Sequence, residues 1–292
     1  MHPLNTVKLV ERASDRGGEP AVGRLLRDAG KLTAADVERV VQLQAVEALR
    51  FGEAAIKLGL IGETDLQHAL SRQFAYSHVL SGEGHFGSEL VAAHDPFGAR
   101  AEQFRSLRSQ LVLRWFSKGH KMLAIAGVHP GDGVSYVAAN LAVMFSQLGE
   151  RTLLIDANLR EPRQHESFGL GSPRGLSELL AGRTGMSAIT HVPAFPKLSV
   201  LAAGAVPPNP AELLSGTATP ARLKGLAEHY DVVLIDTPPA QGSADAEVMA
   251  AGAGAALLVV RQDRTRLAAA AAFQARLAGV GAALIGTALN RF

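Results

Sequence analysis

The sequence has 292 residues, of which 47% are hydrophobic, 19% charged and 5% aromatic, with 30 glycines and 14 prolines. At roughly 150 residues per domain that length makes about two domains. The balance is that of a folded protein with an aliphatic core, which excludes a disordered polar chain and a collagen-like repeat. The sequence has no cysteine, so disulfide scaffolds, thiolate metal centres and cysteine nucleophiles are excluded and a cytoplasmic location is expected. The formal net charge of +2 is not gathered into a basic run, so no nucleic-acid partner is expected.

Residues 1–20 mix both charge signs without an apolar stretch and read as a flexible arm rather than a secretory signal. The longest apolar runs, 248–260 and 267–289, either stop short of the roughly 20 residues a bilayer needs or carry Gln274 and Arg276, so no membrane span is expected.

Residues 21–76 read as a small all-α module built on a tandem repeat. Laid over one another at an offset of 29 residues, Gly23 meets Gly52, Gly30 meets Gly59, Asp36 meets Asp65 and Gln44 meets Gln73. Each unit predicts a short helix, a glycine stop at the helix C′ position and a longer helix. Thr33 with Asp36 makes a capping box and Gly62 with Asp65 a weaker one. Val37, Val40 and Val41, echoed by Leu66, Ala69 and Leu70, supply apolar faces that the two units bury against each other. Two copies are fewer than a solenoid needs, so a compact module is expected.

This segment resembles the amino-terminal module of type II secretion and pilus ATPases, in which an RLG-type turn opens each of two tandem units and some members bind cyclic di-GMP. Arg50, Phe51 and Gly52 keep that pattern, whereas the first unit has Ala21, Val22 and Gly23. The resemblance implies a docking module, or a cyclic di-GMP site on Arg50 and Gly52. Phosphodiester recognition relies on arginine forks, so the loss of one arginine favours docking. Residues 77–95 then turn to glycine and serine and read as a linker. Its three histidines, His78, His85 and His94, stand too far apart for a local metal site.

Residues 96–292 alternate short apolar runs with helical patterns. MLAIAG from Met122, TLLID from Thr152, LSVLAAG from Leu198, VVLID from Val232, ALLVV from Ala256 and AALIGTAL from Ala282 predict strands, and Ser135 to Leu148 and Thr265 to Leu277 predict helices. Near-continuous apolar strands joined by helices make an α/β fold with a mostly parallel sheet covered on both faces. Ligands of such sheets sit at the carboxyl ends of the strands.

The first strand runs into His129-Pro130-Gly131-Asp132-Gly133-Val134-Ser135-Tyr136 and then into a helix. A strand, a glycine turn and a helix aim several backbone N–H groups and the positive helix end at one point, which suits a phosphate. Gly131, Asp132, Gly133, Val134, Ser135 and Tyr136 are therefore candidate nucleotide-binding residues of a P-loop NTPase-like fold. The residue after the second glycine is a lysine in a working P-loop; here it is Val134. Ser135 keeps the hydroxyl that ligates magnesium, and Asp156 and Asp236 end two further apolar strands, where acids hold magnesium beside a P-loop. Singly, each aspartate reads as a helix N-cap; as a set with Ser135 they read as a magnesium site.

From about Phe97 to Phe292 the sequence resembles the bacterial tyrosine kinases that work with exopolysaccharide chain-length determinants, the BY-kinase group. The matching motifs are EQFRSLR, the P-loop with VAANLA behind it, LLIDANLR, VPPNPAELL at Val206 to Leu214, DVVLIDTPP at Asp231 to Pro239, and GTALN. More narrowly it resembles the subgroup encoded with exosortase-linked polysaccharide systems, in which Ser-Tyr follows the P-loop. The resemblance implies ATP or ADP with magnesium, a membrane chain-length determinant as partner, homo-oligomers, and a place at the inner membrane through that partner. Glu102, Arg105 and Arg108 match a helix used for subunit contacts, though their spacing also suits a solvated face with local ion pairs. Asn290 matches a position near the adenine base, and a strand-end asparagine also forms turns.

In the family, Asp156 and the residue two places on form a DxD pair proposed to help deprotonate the attacking tyrosine. Here the second position is Asn158, and an amide cannot serve as a general base. A lysine making charge-assisted hydrogen bonds contributes about 1.5 to 3 kcal/mol, so Val134 costs about ten- to a hundredfold in transition-state stabilisation unless Arg160 or Arg163 compensates. The family's tail carries a tyrosine cluster, whereas this sequence has only Tyr76, Tyr136 and Tyr230. The expectation is a regulatory P-loop protein of exopolysaccharide polymerisation and export, with kinase activity weak or lost. The rivals are an active tyrosine autokinase, a cyclic di-GMP sensor, and a cell-division or plasmid-partition positioning ATPase. The last carries a signature lysine where this sequence has His129.

Overall fold

The computed structural model describes residues 21–63, 65, 66, 69, 86–171 and 174–291. The chain divides between residues 76 and 77 into two compact units. The expected arm at 1–20, Leu70, Gln73, Tyr76, His78 and His85 lie outside the described residues.

The smaller unit contains α1 (Ala21–Asp28), α2 (Ala34–Glu47) and α3 (Phe51–Lys57). Thr33 and Asp36 form the capping box reciprocally: Asp36 N–H donates to Thr33 Oγ1 at 3.2 Å and Thr33 N–H donates to the Asp36 carboxylate at 3.0 Å. Its echo is present too, with Gly62 N–H donating to Asp65 Oδ2 at 3.1 Å. Gly30 and Gly59 follow α1 and α3 with φ of 69° and 66°, as helix stops require. Gly23 and Gly52 do not fit the same reading, because they lie inside α1 and α3. Packing is their reason: a Cβ on Gly23 would stand 3.0 Å from the Phe51 ring, and one on Gly52 would run into the Leu66 side chain. Leu26, Leu32, Val37, Val40, Phe51, Ala54 and Ala55 are buried in the core.

The larger unit is built on β1 (Met122–Gly127), β2 (Thr152–Asp156), β3 (Thr190–His191), β4 (Leu198–Leu201), β5 (Val232–Asp236), β6 (Ala255–Arg261) and β7 (Ala283–Asn290). They form one sheet in the order β3-β4-β2-β5-β1-β6-β7. All pairs are parallel except β3 with β4. Around it lie α4 (Val91–His94), α5 (Ala99–Arg114), α6 (Val134–Gln147), α7 (Gln164–Ser167), α8 (Leu176–Leu180), α9 (Pro210–Leu214), α10 (Thr219–Ala227), α11 (Asp245–Ala253) and α12 (Leu267–Gly279). Strands β2 and β5 are buried along their whole length and β1 from its second residue on, which is why they read as continuous apolar runs. Two cores result, one with Leu123, Ile125, Leu141 and Phe145, the other with Ala124, Ile155, Met249 and Phe273. The expected α/β, P-loop NTPase-like architecture is present.

The described part of the expected linker, residues 86–95, is packed structure instead. Phe86 meets Phe168 and Phe195 edge-on at 6.4 and 5.9 Å, and Leu90, Ala92 and Ala93 are fully buried. His94 uses its Nε2 on the Gly87 carbonyl at 3.0 Å. Among the described residues no helix is long and apolar enough to cross a membrane.

Candidate functional site

Parallel register brings the carboxyl ends of β1, β2 and β5 to one edge: Ile125 pairs with Asp236, and Asp236 pairs with Asp156. From that edge the chain leaves β1 at Gly127 and enters α6 at Val134. The intervening loop turns on Gly131 and Gly133, whose φ of 80° and 95° belong to the left-handed region. Val134, Ser135 and Tyr136 open α6, so their N–H groups have no acceptor within the helix and point at the loop.

Asp132 holds the loop's shape from inside. It is buried, and its Oδ2 accepts from the N–H groups of Val128 at 3.1 Å and His129 at 2.8 Å. Its Oδ1 accepts from the Thr265 hydroxyl at 2.8 Å, and its carbonyl accepts from Asn290 Nδ2 at 3.1 Å. The two side chains expected toward nucleotide, Asp132 and Asn290, therefore have loop-bracing bonds. Val134 turns into the loop as well: its Cγ2 lies 2.6 Å from where a Cβ on Gly127 would stand, so only glycine fits there. Tyr136 packs edge-on against Phe104 at 5.5 Å, and burial raises its hydroxyl pKa against an opposing pull from Arg100.

The two aspartates differ in their surroundings. Asp156 Oδ1 accepts from Asn158 N–H at 3.1 Å, and its Oδ2 accepts from Arg163 and Gln164 N–H groups, each at 3.0 Å. Burial pushes its pKa up to about 6 against those three donors. Asp236 is pushed up to about 8, by burial first and then by the neighbouring Asp156 charge. Gln164 Nε2 donates both to Asp236 Oδ2 at 2.7 Å and to the Ser135 carbonyl at 3.1 Å, linking strand end to P-loop. Asn158 turns its Oδ1 to the Glu161 N–H at 3.1 Å, a turn-forming bond.

Ser135, Asp156 and Asp236 are thus brought to one place. Asp236 Oδ1 and Gln164 Oε1 are buried there without a hydrogen-bond partner. Two carboxylates, a hydroxyl and an amide oxygen are hard oxygen donors that fit magnesium, which binds through one or two carboxylates together with phosphates. Among the described residues no cluster of three or more His, Cys, Asp or Glu side chains gathers, so the fit rests on this mixed set. Gln164, which bonds Asp156, Asp236 and the Ser135 carbonyl, is a residue of this cluster that sequence reasoning missed.

Of the two arginines expected to make up for the lysine, Arg160 is occupied otherwise and Arg163 is exposed. Arg160 Nε pairs with Asp245 Oδ2 at 3.0 Å, and Arg163 contributes its backbone N–H to Asp156. The cations beside the loop come from another element: Arg261 Nη1 donates to the Gly131 carbonyl at 3.2 Å, and Arg264 Nη1 lies 3.0 Å from the position of a Cβ on Gly131. Glu102, Arg105 and Arg108 are on α5. Arg105 bonds Glu102 and the Pro96 carbonyl, and Arg108 donates to the Met144 carbonyl at 2.9 Å. Arg50 and Gly52 belong to the smaller unit, Arg50 exposed and Gly52 buried.

No family model matches the chain. Tyrosine-protein kinase YwqD of Bacillus subtilis is 35% identical over 201 residues, covering 69% of this chain and 85% of YwqD. The chain belongs to the bacterial tyrosine-kinase family. Tyrosine-protein kinase wzc of Salmonella typhimurium is 36% identical over 174 residues, and the match spans 60% of this chain but only 24% of that longer relative. The kinase domain of Escherichia coli tyrosine kinase ETK superposes with a TM-score of 0.66 at 32% identity, over 69% of this chain and 79% of that domain. The tyrosine-kinase resemblance of the larger unit is therefore family membership.

Proposed function

We propose that this chain is a nucleotide-responsive regulatory member of the bacterial tyrosine-kinase family. In this reading it acts with a membrane chain-length determinant in exopolysaccharide polymerisation and export, in the exosortase-linked subgroup, and phosphorylates little by itself. The observation that carries the reading is Val134, an apolar side chain folded into the loop where a kinase needs a cation over the phosphates. Asn158 supports it, since its amide shapes a turn and offers no base.

ATP or ADP would lie on the N–H groups of residues 131–135. Magnesium would be held by Ser135, Asp156 and Asp236 and would supply neutralisation of phosphate charge. The protein's own residues do the rest: glycine turns let the backbone approach the phosphates, Asp132 keeps the loop rigid, and Gln164 ties the loop to the strand end that bears Asp236. Bound nucleotide is then a conformational or oligomeric switch, with the α5 residues Glu102, Arg105 and Arg108 toward a neighbouring copy. The smaller unit is a docking module. A cyclic di-GMP site there would depend on Arg50, because the absence of a side chain at Gly52 is explained by Leu66.

The test is incubation of the purified full chain with labelled ATP and magnesium. Phosphotyrosine near background is expected, with ATP bound. Robust phosphotyrosine that disappears in Asp236→Ala would establish the active autokinase instead.

A further inference from the structure

The connection between β6 and α12 is fastened to the P-loop by more bonds than a chain reversal needs. Arg261 N–H donates to Thr265 Oγ1 at 2.9 Å, and the N–H groups of Thr265 and Arg264 donate back to the Arg261 carbonyl at 3.0 and 3.3 Å. The Thr265 hydroxyl then donates to the buried Asp132 carboxylate at 2.8 Å, so this turn and the P-loop share one bonded frame. Asp263 takes the left-handed conformation, φ 60°, that aspartate tolerates and that closes the turn tightly. Gln262 N–H donates to the Asn290 carbonyl at 2.9 Å, and the side chain of Asn290 in turn donates to the Asp132 carbonyl.

The product of this construction is a pair of guanidinium groups at Gly131. Arg261 is half-buried and bonded to the Gly131 carbonyl; Arg264 is exposed and reaches over the bare Cα, in the space that a side chain at 131 would take. Asp132, the acid beside them, is buried in the loop with its oxygens committed to three donors. The same cradle ends on a buried, unpartnered oxygen of Asp236, which marks it as built for something more than its own residues.

We propose that Arg261 and Arg264 are the cationic ligands of the polyphosphate held at residues 131–135, supplying from the β6–α12 turn the charge that Val134 does not supply from within the loop. This rests on the nucleotide reading above. Guanidinium forks match phosphate oxygens bidentately, and a fork held by its own backbone frame loses little entropy on binding. The arrangement binds phosphate from the loop's rim, which serves affinity without placing a cation over a transferring phosphoryl group.

Isothermal titration of the full chain with ATP and, separately, with inorganic tripolyphosphate tests this. Arg264 is exposed, so its replacement leaves the fold intact, which the emission of the single tryptophan, Trp115, monitors. Arg264→Ala is expected to weaken both ligands about tenfold and Arg264→Lys to recover part of the loss. If wild type binds ATP and Arg264→Ala binds it within about twofold, the arginine assignment is overturned while the nucleotide reading stands. Loss of ATP affinity with tripolyphosphate unchanged would overturn it in favour of nucleoside recognition. Failure of wild type to bind either ligand would remove both readings together.

Discussion

Val134 occupies room that the loop's own glycine makes for it. With its Cγ2 against the Cα of Gly127, it seals the interior side of the turn while leaving the backbone shape needed for anion binding. A lysine stem would start along the same path and carry an ammonium group to the phosphates. Val134→Lys is therefore expected to tighten ATP binding by about ten- to a hundredfold, read by calorimetry; unchanged affinity would mean that charge inside the loop does not limit the site. The residues carried by local spacing, Ser135, Asp156 and Asp236, were legible in the sequence as a set, and the structure places them together. Gln164, Arg261 and Arg264 were not, because what selects them is contact across the fold. Gln164 lies 72 positions from the Asp236 it bonds, and Arg261 lies 130 from Gly131. The inward turn of Asp132 was hidden for the same reason, since its partner Thr265 is 133 positions away.

Among the elements, α6 is held at its middle by one buried asparagine. Asn140 Oδ1 accepts from Ala92 N–H at 2.9 Å, and its Nδ2 donates to the carbonyls of Glu89 at 3.0 Å and Tyr136 at 2.9 Å. This bond set fixes the segment before α5 against the helix that follows the P-loop. Asn140→Leu strands the buried Ala92 N–H, whereas the Glu89 carbonyl keeps the Val91 N–H at 2.9 Å, so a loss of about 1–3 kcal/mol is expected in urea unfolding. A variant as stable as wild type would show that water replaces those bonds. Six of the seven described strands announced themselves as apolar runs; in β1, β2, β4, β5 and most of β6 this is because a sheet covered on both faces leaves no polar alternation, while β7 reads apolar although it is a largely unburied edge. The seventh, β3, is a two-residue antiparallel edge, too short to carry any pattern. Residues 86–95 were misread because glycine, serine and histidine suggest solvent, while Leu90, Ala92 and Ala93 are buried and Phe86 packs partly buried against the core. In the smaller unit the repeat anticipated α1, α2 and α3, while the second unit's longer helix lies largely outside the described residues; the purpose of Gly23 and Gly52 depended on Phe51 and Leu66 being brought beside them.

For the molecule as a whole, the register that aligns Asp156 with Asp236 ties folding to proton binding. Both carboxyls have native values above the ordinary 3.8, about 6 and about 8, chiefly through burial. Below about pH 4 native and unfolded chains both keep these protons, and the pair's contribution to stability is fully present. Between that point and about pH 8 the unfolded chain gives them up first, so the contribution falls as pH rises, by up to about 1.4 kcal/mol per pH unit for each proton. In metal-free buffer, urea unfolding followed by Trp115 emission should show wild type losing more stability than Asp236→Asn between about pH 5 and pH 8. A steeper loss in the variant would contradict the assignment. At neutrality this sheet is accordingly a small reservoir of hydrogen ions. Assembling it draws acid out of the solvent, and a sample melted in weak buffer should return that acid and sour its own solution.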